Sequence, residues 1–143
     1  MSDWLKDKTA VVPIDFGDQS EMAIDSALEI LGDPGKITVL HVAPDLAVIE
    51  PGIMWGEISD ESRETHLKEA FAKRFADPKY AGLKFDVRFG DAGHGIAKYA
   101  QTHDAGMVIM PSHGRTGFDH LLIGSVAERV IRYAHCPVLV LRK

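Results

Sequence analysis

The 143-residue sequence holds one cysteine, Cys136, so no disulfide can form within the chain. That excludes the disulfide-stapled secreted scaffolds and fits a reducing compartment. Basic excess is missing too: 16 Lys and Arg stand against 21 Asp and Glu, a net charge of −5. A nucleic-acid-binding domain would carry a clustered basic patch, and a membrane-surface helix a basic face beside a strong apolar one. Neither is present, so no nucleic-acid or membrane partner is expected. No run approaches the roughly 18 apolar residues of a bilayer span, and the N-terminal MSDWLKDK lacks the apolar stretch of a secretion signal. A cytoplasmic protein is the expectation. The Walker pattern GxxxxGK[ST] is absent, which removes one whole class of phosphate loop. The seven histidines show no HExxH spacing, and a lone cysteine argues against a zinc–thiolate site. They read as surface or loop residues, and Cys136 as a small buried apolar one.

What is present is ordinary globular usage, with 45% hydrophobic and 26% charged residues. A chain of this length buries roughly 68–70% of its unfolded surface, enough for one core; a single domain over 1–143 is expected. Apolar runs at 8–14 (KTAVVPI), 37–42 (ITVLHV), 107–110 (MVIM) and 138–141 (VLVL), with the alternating 83–89 (LKFDVRF), read as strands. Between them lie helical spacings. The first has Asp18 and Glu21 as a capping box and carries Ala23, Ile24, Ala27, Leu28 and Leu31, ending at Gly32–Gly35. The others span 59–75, 91–102 and 125–134, the last with Ser125 and Glu128 as a second capping box. Gly90, Gly93 and Gly95 read as the turn leaving the third strand. Residues 43–56, rich in Pro and Gly and including Trp55, read as a lid or binding loop.

Strands alternating with helices predict a parallel sheet covered on both faces, and continuous apolar strands agree with burial on both sides. In such doubly wound sheets a ligand binds beyond the carboxyl ends of the strands, where strand order reverses. Two strand exits carry chemistry for it: Asp15-Phe16-Gly17, and the segment from Pro111 to Ser125. The glycines of the second let backbone N–H groups converge. The helix that follows offers its N-terminal N–H groups and positive dipole end. Ser125, Arg115 and His113 add hydrogen-bonding or cationic groups, so phosphate is the natural guest. Gly114 and Gly117 could equally be plain turn glycines, and Asp15 a loop cap.

These residues resemble the universal stress protein family. The resemblance runs through Val11-Val12-Pro13-Ile14-Asp15, Leu40-His41-Val42, Met107 to Gly124, Ser125-Val126-Ala127-Glu128 and Cys136-Pro137-Val138-Leu139-Val140. Nucleotide-binding members carry glycine, two residues, glycine, nine residues, then glycine and Ser or Thr. Gly114, the nine residues 115–123, Gly124 and Ser125 match; Pro111 stands where the first glycine would be. The resemblance implies a Rossmann-like five-stranded doubly wound sheet of order 3-2-1-4-5. It implies that Asp15 and Val42 lie beside adenine and ribose, and that His113, Gly114, Arg115, Gly124 and Ser125 surround the phosphates. Pro13, Pro111, Ser112, Gly117 and Val126 complete the expected contact set. The implied ligand is ATP, ADP or AMP, with Mg left open. The implied role is a stress response exerted through nucleotide-dependent conformation or assembly. A homodimer through the edge strand Pro137–Leu141 is expected. Because no nucleophile–base set or metal-binding carboxylate pair stands out for phosphoryl transfer, slow ATP hydrolysis or phosphotransfer is the alternative. A dimeric interaction module without nucleotide is another.

Overall fold

The computed structural model describes residues 4–45, 59–113 and 123–142. Strands β1 (Ala10–Pro13), β2 (Ile37–Ala43), β3 (Lys84–Phe89), β4 (Met107–Pro111) and β5 (Val138–Leu141) alternate with helices α1 (Ser20–Leu31), α2 (Asp60–Arg74), α3 (Ala92–Thr102) and α4 (Ser125–Tyr133). All strand pairs are parallel, in the order β3-β2-β1-β4-β5. Strand order therefore reverses between β1 and β4. β5 is one edge and β3 the other.

The continuous apolar strands explain themselves in the packing. Successive side chains point to opposite faces, so each strand feeds two cores. Ala10, Val12, Val39 and Ile109 pack under α1 and α2 with Ile24, Leu31 and Phe71. Val11, Leu40, Val108 and Met110 pack under α3 and α4 with Ile96, Ala100 and Val130. Each fully buried Val, Leu or Ile contributes roughly 1.5–3 kcal/mol of transfer free energy, and β1 is buried along its whole length. Phe71 stacks on Phe85 at 4.3 Å between ring centres, closing the outer side of the first core.

Local signals set the helix ends. The Ser59 hydroxyl accepts from the Ser62 N–H, Asp60 and Glu61 lie in the first turn of α2, and Lys73 and Arg74 in its last; both charges complement the helix dipole. Asp91 caps α3 by accepting from the His94 N–H. Elsewhere the sequence reading is corrected. Asp18 does not cap α1: the helix begins at Ser20, Gln19 holds the cap position without a side-chain bond, and Glu21 turns outward to Arg74. Ser125 and Glu128 form no capping box either. Gly124 is the N-cap of α4, again without a side-chain bond, and Glu128 pairs with Arg132 one turn on. Of the three glycines near β3, only Gly90 is the exit turn, at φ 131°. Gly93 and Gly95 lie in α3, where a Cβ would meet the Arg129 side chain at 2.6 Å and Val42 Cγ1 at 3.0 Å. They are contact glycines that let α3 approach α4 and β2. Cys136 is half-buried rather than enclosed, and burial pushes its thiol up. His41, read as a surface or loop residue, is a half-buried member of β2.

Candidate functional site

At the reversal point β1 and β4 part. Their ladder pairs Ala10 with Met107 and Val11 with Val108 and goes no further, while β4 stays paired with β5 through Pro111 and Leu141. The gap opens a cleft of about 550 Å³, part of it open to solvent. Seven of the residues singled out from sequence line it: Pro13, Asp15 and Val42 on one side, Pro111, Ser112, His113 and Val126 on the other. Gly124 adjoins them, its N–H donating to the Ser112 carbonyl at 2.6 Å. Ser125 is exposed at the first position of α4. Gly114, Arg115 and Gly117 lie outside the described residues, as do Trp55 and most of the loop 43–56.

The β1 exit is held in shape from three directions. Asp15 Oδ1 accepts the Gly17 N–H at 2.8 Å, the loop-capping role considered from sequence. Phe16 adopts φ 61°, a left-handed conformation costly for a non-glycine residue. Its ring packs edge-on to His41 at 5.1 Å, and the His41 ring nitrogen Nδ1 donates to the Ile14 carbonyl at 2.8 Å. From α2, Arg74 donates to the carbonyls of Phe16 (2.6 Å) and Gly17 (2.7 Å) and to both oxygens of Glu21. That hydrogen bond holds the Glu21 carboxyl below its usual range and raises Arg74 in turn.

The β4 exit carries the polar groups. Ser112 is 4% exposed; its hydroxyl lies 3.1 Å from His113 Nδ1, and its N–H donates to the Leu141 carbonyl at 2.8 Å. His113 Nε2 is buried with no partner among the described residues. The proline at 111 is tolerated for a visible reason. Val108 and Ser112 donate toward β5 while Met107 donates toward β1 at Thr9, so odd positions of β4 face β1. The missing N–H of Pro111 therefore falls where β1 has already separated and no ladder bond is lost.

Sequence reasoning missed two residues here. Ser20, the first residue of α1, lines the cleft and is 2% exposed; reading Asp18 as the cap had set the helix start one residue early. Arg74 acts on the loop from more than 50 residues away, a contact no local pattern encodes. Among the described residues no group of three or more His, Cys, Asp or Glu is arranged to hold a metal ion.

The chain is similar to known proteins over nearly its whole length. A universal stress protein of Methanocaldococcus jannaschii is 34% identical, with 95% of this chain and 82% of the relative covered. Among solved structures, universal stress protein UspA from Lactobacillus plantarum superposes with a TM-score of 0.72 at 26% identity, covering 94% of this chain and 98% of that one. A universal stress protein in complex with cAMP gives 0.67 at 18% identity, with 94% and 96% covered. One from Archaeoglobus fulgidus in complex with dAMP gives 0.59 at 22%, with 94% and 98% covered. The family model described as Universal stress protein family matches residues 8–142, and the chain belongs to that family.

Proposed function

We propose that this protein binds an adenine nucleotide in the cleft between β1 and β4, and acts in a stress response through nucleotide-dependent conformation or assembly. One observation carries the reading: α4 opens on the cleft without a side-chain cap. Its first-turn residues Val126 and Ala127 line the cavity, its cap position Gly124 makes no side-chain cap bond, and His113, whose Nε2 is buried without a partner among the described residues, lines the same space. A helix N-terminus of this kind is a site for phosphate. Asp15 and Val42 take the adenine and ribose. His113, Gly114, Arg115, Gly124 and Ser125 take the phosphates, with Pro13, Pro111, Ser112, Gly117 and Val126 completing the contacts. ATP, ADP and AMP are the candidate ligands; the cAMP and dAMP held by two relatives of this fold support the adenine class.

The residues 1–143 act as one domain, in the cytoplasm, as a homodimer joined along β5. Among the described residues no helix is long and apolar enough to cross a membrane. A thermal-shift titration tests the nucleotide reading. Ligand at 100 times its dissociation constant stabilises by about 2.7 kcal/mol. The expected result is a rise in melting temperature with at least one of AMP, ADP and ATP, and adenine nucleotide released on denaturing the purified protein. A folded protein that shifts with none of the three at millimolar concentration, and releases none, refutes it.

A further inference from the structure

Two residues that line the cleft each carry a buried polar atom with no partner among the described residues: Ser20 its Oγ and His113 its Nε2. A buried hydroxyl without a hydrogen bond costs stability, and such groups are rare in folded proteins. Ser20 is 2% exposed, opens a helix of 12 residues whose cap position makes no side-chain bond, and faces the same cavity as Asp15.

The cleft is electrically lopsided. Asp15 lines the cleft at the start of α1, while Glu21 is turned outward to Arg74, which also binds the loop carbonyls. A phosphate at that end would sit against the Asp15 carboxylate. At the other end stand His113 and the uncapped start of α4. The charged end of a nucleotide is therefore directed to β4 and α4, and its neutral nucleoside end to α1. A serine hydroxyl both donates and accepts, which matches ribose hydroxyls and base edges.

We infer that Ser20 is a ligand-contacting residue of the cleft, its hydroxyl hydrogen-bonding the nucleoside end of the nucleotide and not its phosphates. The inference rests on the nucleotide reading above. It makes an uncommon pair of demands on one substitution. Ser20→Ala removes a hydroxyl that has no protein partner and replaces it with a stronger helix former, so the ligand-free variant melts at or above the wild type. The same change deletes a bond to ligand, so affinity falls about three- to tenfold, the worth of one net hydrogen bond.

Calorimetric titration of wild type and Ser20→Ala with AMP and with ATP, beside melting of both ligand-free proteins, decides it. The expected result is an equal fold-loss for AMP and ATP with no loss of ligand-free stability. Unchanged affinities in Ser20→Ala overturn the inference while leaving the nucleotide reading intact. So does a larger loss for ATP than for AMP, or a variant that melts below wild type without ligand, since Ser20 would then serve the phosphates or the fold. A wild type that binds neither nucleotide overturns both.

Discussion

The N–H of Gly124 donates to the carbonyl of Ser112 at 2.6 Å, joining the start of α4 to the end of β4 on either side of residues 114–122. Glycine here is a matter of space, since its φ of −79° suits any residue. A Cβ would lie 3.1 Å from the Ser112 oxygen and 3.3 Å from His113 Cα. Both neighbours are backbone and cannot swing aside. Gly124→Ala is therefore expected to push α4 off β4 by a few tenths of an ångström, costing about 1–3 kcal/mol, as overpacking does. Because Ser112 and His113 line the cleft at the proposed phosphate end and Gly124 adjoins them, nucleotide affinity should fall several-fold. Melting curves and ATP titration check the two effects; a variant indistinguishable from wild type in both would show the contact to be slack.

Pro111 invites the opposite test. Its nitrogen faces the side from which β1 has withdrawn, so Pro111→Gly would place a new N–H at the cleft without disturbing the Ser112–Leu141 bond to β5. An amide bonded to a charged phosphate contributes about 1.5–3 kcal/mol, so ATP affinity should rise roughly tenfold or more. The glycine frees the unfolded chain, at a cost of about 0.4–1 kcal/mol. The variant should thus bind more tightly while melting lower. Unaltered or weaker affinity by calorimetry would mean that the nucleotide makes no use of that position.

These two residues mark what the sequence made legible. The alternating parallel sheet and the two strand exits with Asp15, Ser112 and His113 follow from apolar runs and motif spacing, while the strand order that brings those exits to one crevice followed from the family resemblance. Helix starts did not follow. Asp18 and Ser125 each offered a capping-box spacing, yet α1 and α4 begin without side-chain caps: Glu21 is drawn across to Arg74 of α2, and Glu128 pairs with Arg132 one turn on in α4 itself. Ser20 escaped notice because a serine in a first turn looks like any other. What singles it out is burial without a partner, which only the packed structure reveals.

Acid should weaken the molecule partly through Glu21. Arg74 holds its carboxyl below the ordinary value of 4.5, so the folded state takes up that proton less readily than the unfolded chain. Stability from the pair is therefore full above the unfolded value and drains as pH falls through the folded one. Asp91, lowered chiefly by the His94 N–H it accepts, adds loss in the same direction. The Arg74 and Glu21 side chains are 29% and 41% exposed, so solvent limits the pair to about 1 kcal/mol or less. Between about pH 5 and pH 3, Glu21→Gln should lose melting temperature less steeply than wild type, from a lower start at pH 7. Parallel curves would remove Glu21 from the acid response.

The edge strand gives the sharpest test of assembly. Val108 and Ser112 donate to the carbonyls of Pro137 and Leu141, so odd positions of β5 face β4 and even positions, Val138 and Val140, turn their N–H and C=O to the open edge. Exposed strand edges with apolar side chains template pairing with another chain. Leu139 on β5 itself is an exposed large apolar residue, which puts apolar surface on that strand. A two-fold pairing would satisfy the edge of both copies at once. Val140→Pro removes one outward N–H and no bond to β4, and proline is compatible with an edge strand. The wild type is therefore expected to scatter light as a dimer at tens of micromolar, and Val140→Pro as a monomer that still melts cooperatively. A monomeric wild type would reject the β5 interface, and a dimer that survives Val140→Pro would move it to another surface.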